Sequence, residues 1–148
     1  MNTKIMPTTA LLISIVLCIA LHLIFPAYIL IPPKWNLIGL MPLLFGIWIN
    51  LAADQALNNA DTTVKPYQES NTLVNNGAYR ISRNPMYLGF VSILVGIAVL
   101  LRSISPYSVA VLFAVVVNQV YIKVEEKMLA EKFGDGWIKY QARVRKWI

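Results

Sequence analysis

The sequence predicts an all-α integral membrane protein: four transmembrane helices, a long polar loop on the cytosolic side and a C-terminal interfacial segment. Three observations carry that expectation. The 148 residues are 57% hydrophobic and only 14% charged, too apolar for an ordinary soluble domain. The apolar residues are bunched into four stretches separated by polar or proline-containing breaks. The basic residues collect on one side of the resulting layout.

A hydrocarbon core of about 30 Å takes roughly 20 helical residues at 1.5 Å each. The first stretch, Thr9 to Ile31, carries no formal charge and predicts a span over 9–31. It is too long for the apolar core of a cleaved leader, and FPAYILIPPKW at its end offers no small-x-small cleavage site. Pro32 and Pro33 stop it, because neither can donate a helical hydrogen bond. A short connection then makes the second span, 36–57, its antiparallel neighbour. The third span, 85–101, opens at Asn84-Pro85, proline being favoured where the first-turn N–H has no partner anyway. The fourth, 107–129, follows Ser105-Pro106 with Ser105 as N-cap, and its helix runs on to a cap at Gly134. Between spans two and three, residues 58–84 are polar with no helical stripe. Leu73, Val74, Tyr79 and Ile81 nevertheless anchor them, and Gly77 suits a turn with positive φ. The tail 134–148 sets Trp137, Ile138, Tyr140, Val144, Trp147 and Ile148 among basic residues, the pattern of a segment lying on an anionic leaflet. The chain reads as a single domain, 1–148.

Of the 13 Lys and Arg, Lys34 lies in the first loop and Arg102 in the third; the others lie at the N-terminus, in the second loop or after the fourth span. Basic residues gather on the cytoplasmic side, so both termini and the second loop are expected there. Membrane topology thus accounts for the net charge of +6, and nucleic acid is not an expected partner. The single cysteine, Cys18, reads as packing, and His22 as an interhelical hydrogen-bonding group. No metal-ligand spacing is present, and no metal is expected.

Two polar clusters flank the last two apolar stretches on that side: GAYRISRNPMYLG (Gly77 to Gly89) and VEEK (Val124 to Lys127). Charges beside a bilayer are costly and mark a site or an anchor. Asn118, Tyr121 and Glu125 share a helix face at i, i+3, i+7, while Glu126 points about 100° from Glu125. A carboxylate there can accept from ribose hydroxyls or an amine, the helix start at Pro85 offers N–H groups to an anion, and Tyr79 and Tyr87 offer flat faces to a purine. Together they describe a pocket for a nucleoside-like ligand with a carboxylate tail. Each feature has a plainer reading. Arg80 and Arg83 are also placed as headgroup anchors, and Tyr79 and Tyr87 as interfacial belt residues. Glu125 and Glu126 also fit a solvated face pairing with Lys127 and Lys132. Asn118 and Gln119 equally suit interhelical hydrogen bonding.

TTVKP (Thr62 to Pro66), NTLVNNGAYRISRNPMYLG (Asn71 to Gly89) and EEKMLAEKFGDGWIKYQARVRKWI (Glu125 to Ile148) resemble the isoprenylcysteine carboxyl methyltransferases, relatives of the integral-membrane phospholipid methyltransferases. The resemblance covers the C-terminal two-thirds of the chain. It implies an enzyme that transfers a methyl group from S-adenosyl-L-methionine, leaving S-adenosyl-L-homocysteine, to a lipophilic acceptor arriving from the bilayer. Carried over by position, the cofactor-binding residues are Asn71, Thr72, Leu73, Val74, Tyr79, Asn84, Pro85, Met86, Tyr87 and Glu125. Those expected to meet the reacting groups are Glu125, Tyr121 and Arg83. The chain departs from the family twice. Arg83-Asn84-Pro85 stands where the eukaryotic enzymes have Arg-His-Pro, and Tyr121 stands where they carry a substrate-orienting arginine, so a prenylcysteine carboxylate loses its charged partner.

Three rival readings compete with this one. A phospholipid or amine N-methyltransferase shares the cofactor. A sterol-reductase-like enzyme would bind NADPH in a similar pocket, but this chain lacks the extra helices of those proteins. A small non-catalytic four-helix protein or transporter would carry an embedded acid, often in the first helix, whereas here no Asp or Glu precedes Asp54. The acceptor's identity and the oligomeric state leave no mark in the sequence.

Overall fold

The computed structural model describes residues 6–60 and 72–148, and in them the chain is helical with no strand beyond one isolated bridge. Six α-helices follow in order: α1 (Pro7–Ile24), α2 (Leu40–Asn58), α3 (Pro85–Leu101), α4 (Ser105–Val117), α5 (Lys123–Phe133) and α6 (Asp135–Arg143). A five-residue π-helical turn, Asn118–Ile122, joins α4 to α5 without a break. Short 3-10 turns precede α2 (Trp35–Gly39) and α3 (Gly77–Arg80).

Three helical stretches are long and apolar enough to cross a membrane: Pro7–Ile24, Trp35–Asn58 and Ser105–Phe133. The fourth apolar helix, Pro85–Leu101, has 17 residues. The outer surface is apolar to a degree that water would not tolerate: Ile24 is 82% exposed, Leu23 73% and Met41 71%. Hydrocarbon outside removes that cost, and the helices are then held by close packing in place of hydrophobic exclusion. Small residues make the close approach possible. α2 and its leading turn meet α3 through Gly39 against Gly96 and Gly46 against Gly89. A Cβ on Gly46 would lie 2.5 Å from the Gly89 carbonyl oxygen, and one on Gly96 2.7 Å from that of Gly39. One interior cluster is a core of Cys18, Phe90, Leu94, Val109, Phe113, Val117 and Ile122, drawn from α1, α3 and the α4–α5 helix.

The first helix is shorter than the sequence suggests: it ends at Ile24, not Ile31. Pro26 cannot continue it, and the chain turns extended, pairing with the α3–α4 connection. Leu30 and Ile31 donate to the Arg102 carbonyl, Ile104 donates to that of Tyr28, and Ile29 bridges Ser103. Arg102 closes α3 in the left-handed region, with φ 70°, unusual for a residue with a side chain, and its Nε donates to the Ile31 carbonyl at 3.0 Å. Ser105 does not cap its own helix. α4 begins at Ser105 itself, whose hydroxyl donates to the Phe25 carbonyl and accepts from the Ala27 N–H, tying α4 to the end of α1. His22 shares a 2.8 Å hydrogen bond with Ser103, and the buried Cys18 thiol packs against the Pro106 carbonyl.

At the opposite end of the bundle, α6 folds back under residues 73–80. Gly134 makes the corner at φ 46°. Trp137 and Tyr140, one turn apart, bury themselves among Ile49, Ala53, Leu57, Val74, Tyr79 and Leu88. Two of the aromatics expected to face a leaflet therefore face the protein, because the 3.6-residue period puts them on the same side as the apolar loop anchors. Ile138 and Ile148 remain outward.

Candidate functional site

The two polar clusters meet at this end. α3 starts at Pro85 and carries Tyr87 inward, and the π turn and α5 present Tyr121 and Glu125 to it. Tyr87 Oη donates to Glu125 Oε1 at 2.5 Å, a short bond across two elements far apart in sequence. The rings of Tyr87 and Tyr121 stack with centroids 6.2 Å apart and planes 27° from parallel. Both tyrosines are buried, as is Tyr79, so none of them is a belt residue facing lipid. Burial, and then the nearby charges of Glu125, Tyr140 and Asp54, push the Tyr79 phenol far above its ordinary value; it is a neutral hydroxyl at any working pH. One turn before Tyr121, the Asn118 side-chain oxygen is buried without a hydrogen-bond partner among the described residues. A π turn adds one residue to a helical turn and is enriched at functional sites; here it sets the register of Asn118, Tyr121 and Glu125.

Glu126 has a different and equally specific task. Its carboxylate pairs with Arg83 Nη2 and with Lys146 Nζ, each at 3.2 Å, and accepts from Asn84 Nδ2 at 3.5 Å. Arg83 also lies over the Trp137 ring, 5.7 Å from its centroid. With its amide turned so that oxygen faces the guanidinium, Gln141 accepts from Arg83 Nη1 and Trp137 Nε1, both at 3.1 Å. Arg83 is thus a clamp between the loop, α5 and α6, and its contacts are to protein groups. The solvated-face reading of the two glutamates does not hold: Lys127 pairs with Glu131 at 3.8 Å, and Glu126 is turned inward.

The chain's last residues finish this clamp. Arg83 N–H donates to the Arg145 carbonyl, and Ser82 Oγ and Asn84 Nδ2 donate to that of Lys146, each near 3 Å. Asn84, where the family's histidine would stand, therefore uses its amide to hold the tail; its own N–H donates to Ser82 Oγ. The Tyr140 hydroxyl donates to the Tyr79 carbonyl at 2.7 Å. Burial, offset in part by Arg83 and reinforced by the negative charge of Glu126, pushes the Tyr140 phenol up to about 12.

Of the residues carried over from the resemblance, Tyr79, Pro85, Tyr87, Tyr121 and Glu125 gather at this end of the bundle, with Val74 and Leu73 in the adjoining apolar cluster beside Met86. Thr72 lies at the edge of the described loop, exposed. Asn71 and the TTVKP motif lie outside the described residues. Sequence reasoning missed Glu126, Gln141, Tyr140 and Lys146 as parts of the framework. Only the one-turn spacing of Trp137 and Tyr140 hinted at an inward face.

The fold and this site define a helical membrane protein whose polar chemistry sits at one end of a small bundle. Residues 35–136 match the family model described as phospholipid methyltransferase, and the chain belongs to that family. The protein-S-isoprenylcysteine O-methyltransferase of Saccharomyces cerevisiae is 31% identical over 141 residues, covering 88% of this chain and 58% of that protein. Protein-S-isoprenylcysteine O-methyltransferase A of Arabidopsis thaliana is 41% identical over 81 residues, 53% of this chain and 40% of that one. An uncharacterized protein of Haemophilus influenzae is 35% identical over 63 residues, 43% of this chain and 100% of that one. The chain thus spans about 40 to 58% of the length of the methyltransferases it resembles. No solved structure matches it significantly.

Proposed function

We propose that the protein is an S-adenosyl-L-methionine-dependent methyltransferase acting on a lipophilic acceptor that enters from the bilayer. The observation that carries this reading is the meeting at Tyr87 of the Glu125 carboxylate, which it bonds, and the Tyr121 ring, which stacks on it. The donor set fits the cofactor: a carboxylate for ribose hydroxyls or an ammonium group, flat aromatic faces for a purine, and the unpartnered Asn118 oxygen to accept a further hydrogen bond. We assign Thr72, Leu73, Val74, Tyr79, Asn84, Pro85, Met86, Tyr87 and Glu125, with Asn71, to holding it.

When bound, the cofactor supplies a methyl group already activated by the sulfonium charge. The protein's task is then alignment for in-line displacement and exclusion of water. Tyr87 fixes the Glu125 carboxylate in one orientation, which favours a single cofactor pose. Tyr121 offers a neutral hydroxyl and ring in place of a cation, so the acceptor is oriented by hydrogen bonding and packing. In this reading α3 is the fourth membrane crossing: its 17 residues reach about 25 Å, a mismatch that local thinning accommodates. Both termini are then cytoplasmic, by the distribution of Lys and Arg.

Incubating the purified full chain with methyl-labelled cofactor and either native lipid extract or a prenylated cysteine tests the proposal. Label should enter the lipid phase. Its release as methanol in mild base marks a methyl ester; its retention marks an N-methyl product. Absence of transfer to both acceptors, with no calorimetric binding of the cofactor, overturns the reading.

A further inference from the structure

Beside the site, and sharing Leu73 with the residues assigned to the cofactor, an open cleft of about 800 Å³ lies between the loop at residues 73–80 and one face of α6. Three cations line it, Arg80 from the loop and Lys139 and Arg143 from α6, together with the side-chain amides of Asn75 and Asn76. Lys139 and Arg143 are four residues apart and so lie on one helix face. Among the described residues no carboxylate lines the cleft, and none of these three cations pairs with one; the nearest acid in sequence, Asp135, opens α6 beside it. All three are exposed, so water screens their mutual repulsion, and an anion seated among them would be attracted to each. The remaining walls are apolar, Leu73 and Val144, and Ile81 and Ile138 nearby are exposed. Tyr140 forms the floor; its hydroxyl is bonded to the Tyr79 carbonyl, which separates the cleft from the Tyr87–Glu125 side.

A cationic cleft with apolar walls, at the polar end of membrane-crossing helices, suits a ligand with an anionic head and a hydrocarbon body. We propose that it seats the phosphate headgroup of an anionic glycerophospholipid from the surrounding leaflet, pinning α6 and the loop to the membrane surface. This goes beyond methyl transfer and does not depend on it. It also gives Arg80 a ligand where the sequence alone left it between anchor and pocket residue.

The test uses the full chain in detergent, titrated with short-chain phosphatidylglycerol or phosphatidylcholine, with bound lipid read by native mass spectrometry. Each cation near an anionic headgroup contributes about a five-fold change in affinity. Lys139→Gln/Arg143→Gln should therefore weaken phosphatidylglycerol retention by roughly 25-fold, and Arg80→Gln, on the opposite wall, by about five-fold. Phosphatidylcholine retention should not change. Lys123→Gln/Lys127→Gln removes the same charge elsewhere on the surface and should leave phosphatidylglycerol binding intact. Equal loss in that control would mean diffuse attraction and overturn the proposal. So would full competition by inorganic phosphate at equal concentration, which would identify a free-anion site. Loss of cofactor affinity in the cleft variants would assign the cleft to the cofactor and also overturn it; failure of methyl transfer with lipid selectivity intact would leave it standing.

Discussion

Replacing Glu126 by alanine removes the shared partner of two cations. The Arg83 and Glu126 side chains are only 11% and 15% exposed, so the guanidinium cannot reach water without moving the loop from α6. At 3.2 Å and an effective dielectric constant near 20, the gross attraction is about 5 kcal/mol, and desolvation of both groups offsets most of it. The loss that matters is the charge left unpaired, about 3–5 kcal/mol for a buried pair broken on one side. Lys146 is 31% exposed and can turn to solvent, which adds less than about 1 kcal/mol. We expect Glu126→Ala to destabilise the fold by about 4 kcal/mol, measured by reversible unfolding in mixed micelles. Arg83→Met/Glu126→Leu, which removes both charges and keeps apolar volume, should recover at least about 2 kcal/mol of that. A Glu126→Ala protein within about 0.5 kcal/mol of the parent, or a double variant no better than the single, would refute the assignment of this pair to the framework. Because Arg83 was expected among the reacting groups, turnover by the refolded double variant also decides that question: retained activity assigns it to the framework alone.

Tyr87→Phe deletes the bond to Glu125 with little change in shape and should weaken calorimetric binding of the cofactor by about 10- to 150-fold, the range for a hydrogen bond to a charged group. Glu125→Ala should abolish binding, and unchanged affinity in either variant would remove these residues from the site. Gly46→Ala drives a methyl group to within 2.5 Å of the Gly89 carbonyl oxygen, and forcing α2 from α3 should cost about 1–3 kcal/mol in the same unfolding assay. Tyr140→Phe leaves the buried Tyr79 carbonyl without its donor and should cost about 1–3 kcal/mol. The Tyr140 phenol is raised to about 12 in the fold against about 10 unfolded, so the stability it adds is full below pH 10 and fades as pH rises through 12. In Tyr140→Phe that alkaline loss should be smaller.

The helical class, the three long apolar helices and the proline-led starts of α3 and α4 were legible because each depends on local composition and on φ restriction. The early end of α1 was not, since the extended pairing of Tyr28–Ile31 exists only where the α3–α4 connection comes back to meet it. The same distinction runs through the site. Residue spacing was enough to place Tyr121 and Glu125 on one helix face, and to separate Glu126 from it. It could not say what Glu126 faces, because its partners Arg83, Asn84 and Lys146 lie about 20 to 40 residues away in sequence and are brought to it by tertiary packing. Nor could it turn Trp137 and Tyr140 inward, for an amphipathic helix beside a membrane has two apolar environments to choose from. Sequence by itself determined the helices, their apolar character and which residue types stand ready for chemistry, all set by interactions within a few residues. Only the tertiary structure decided that the other glutamate, Glu126, clamps the tail. A buried charge must find its counter-charge in space, and that distance is a property of the fold.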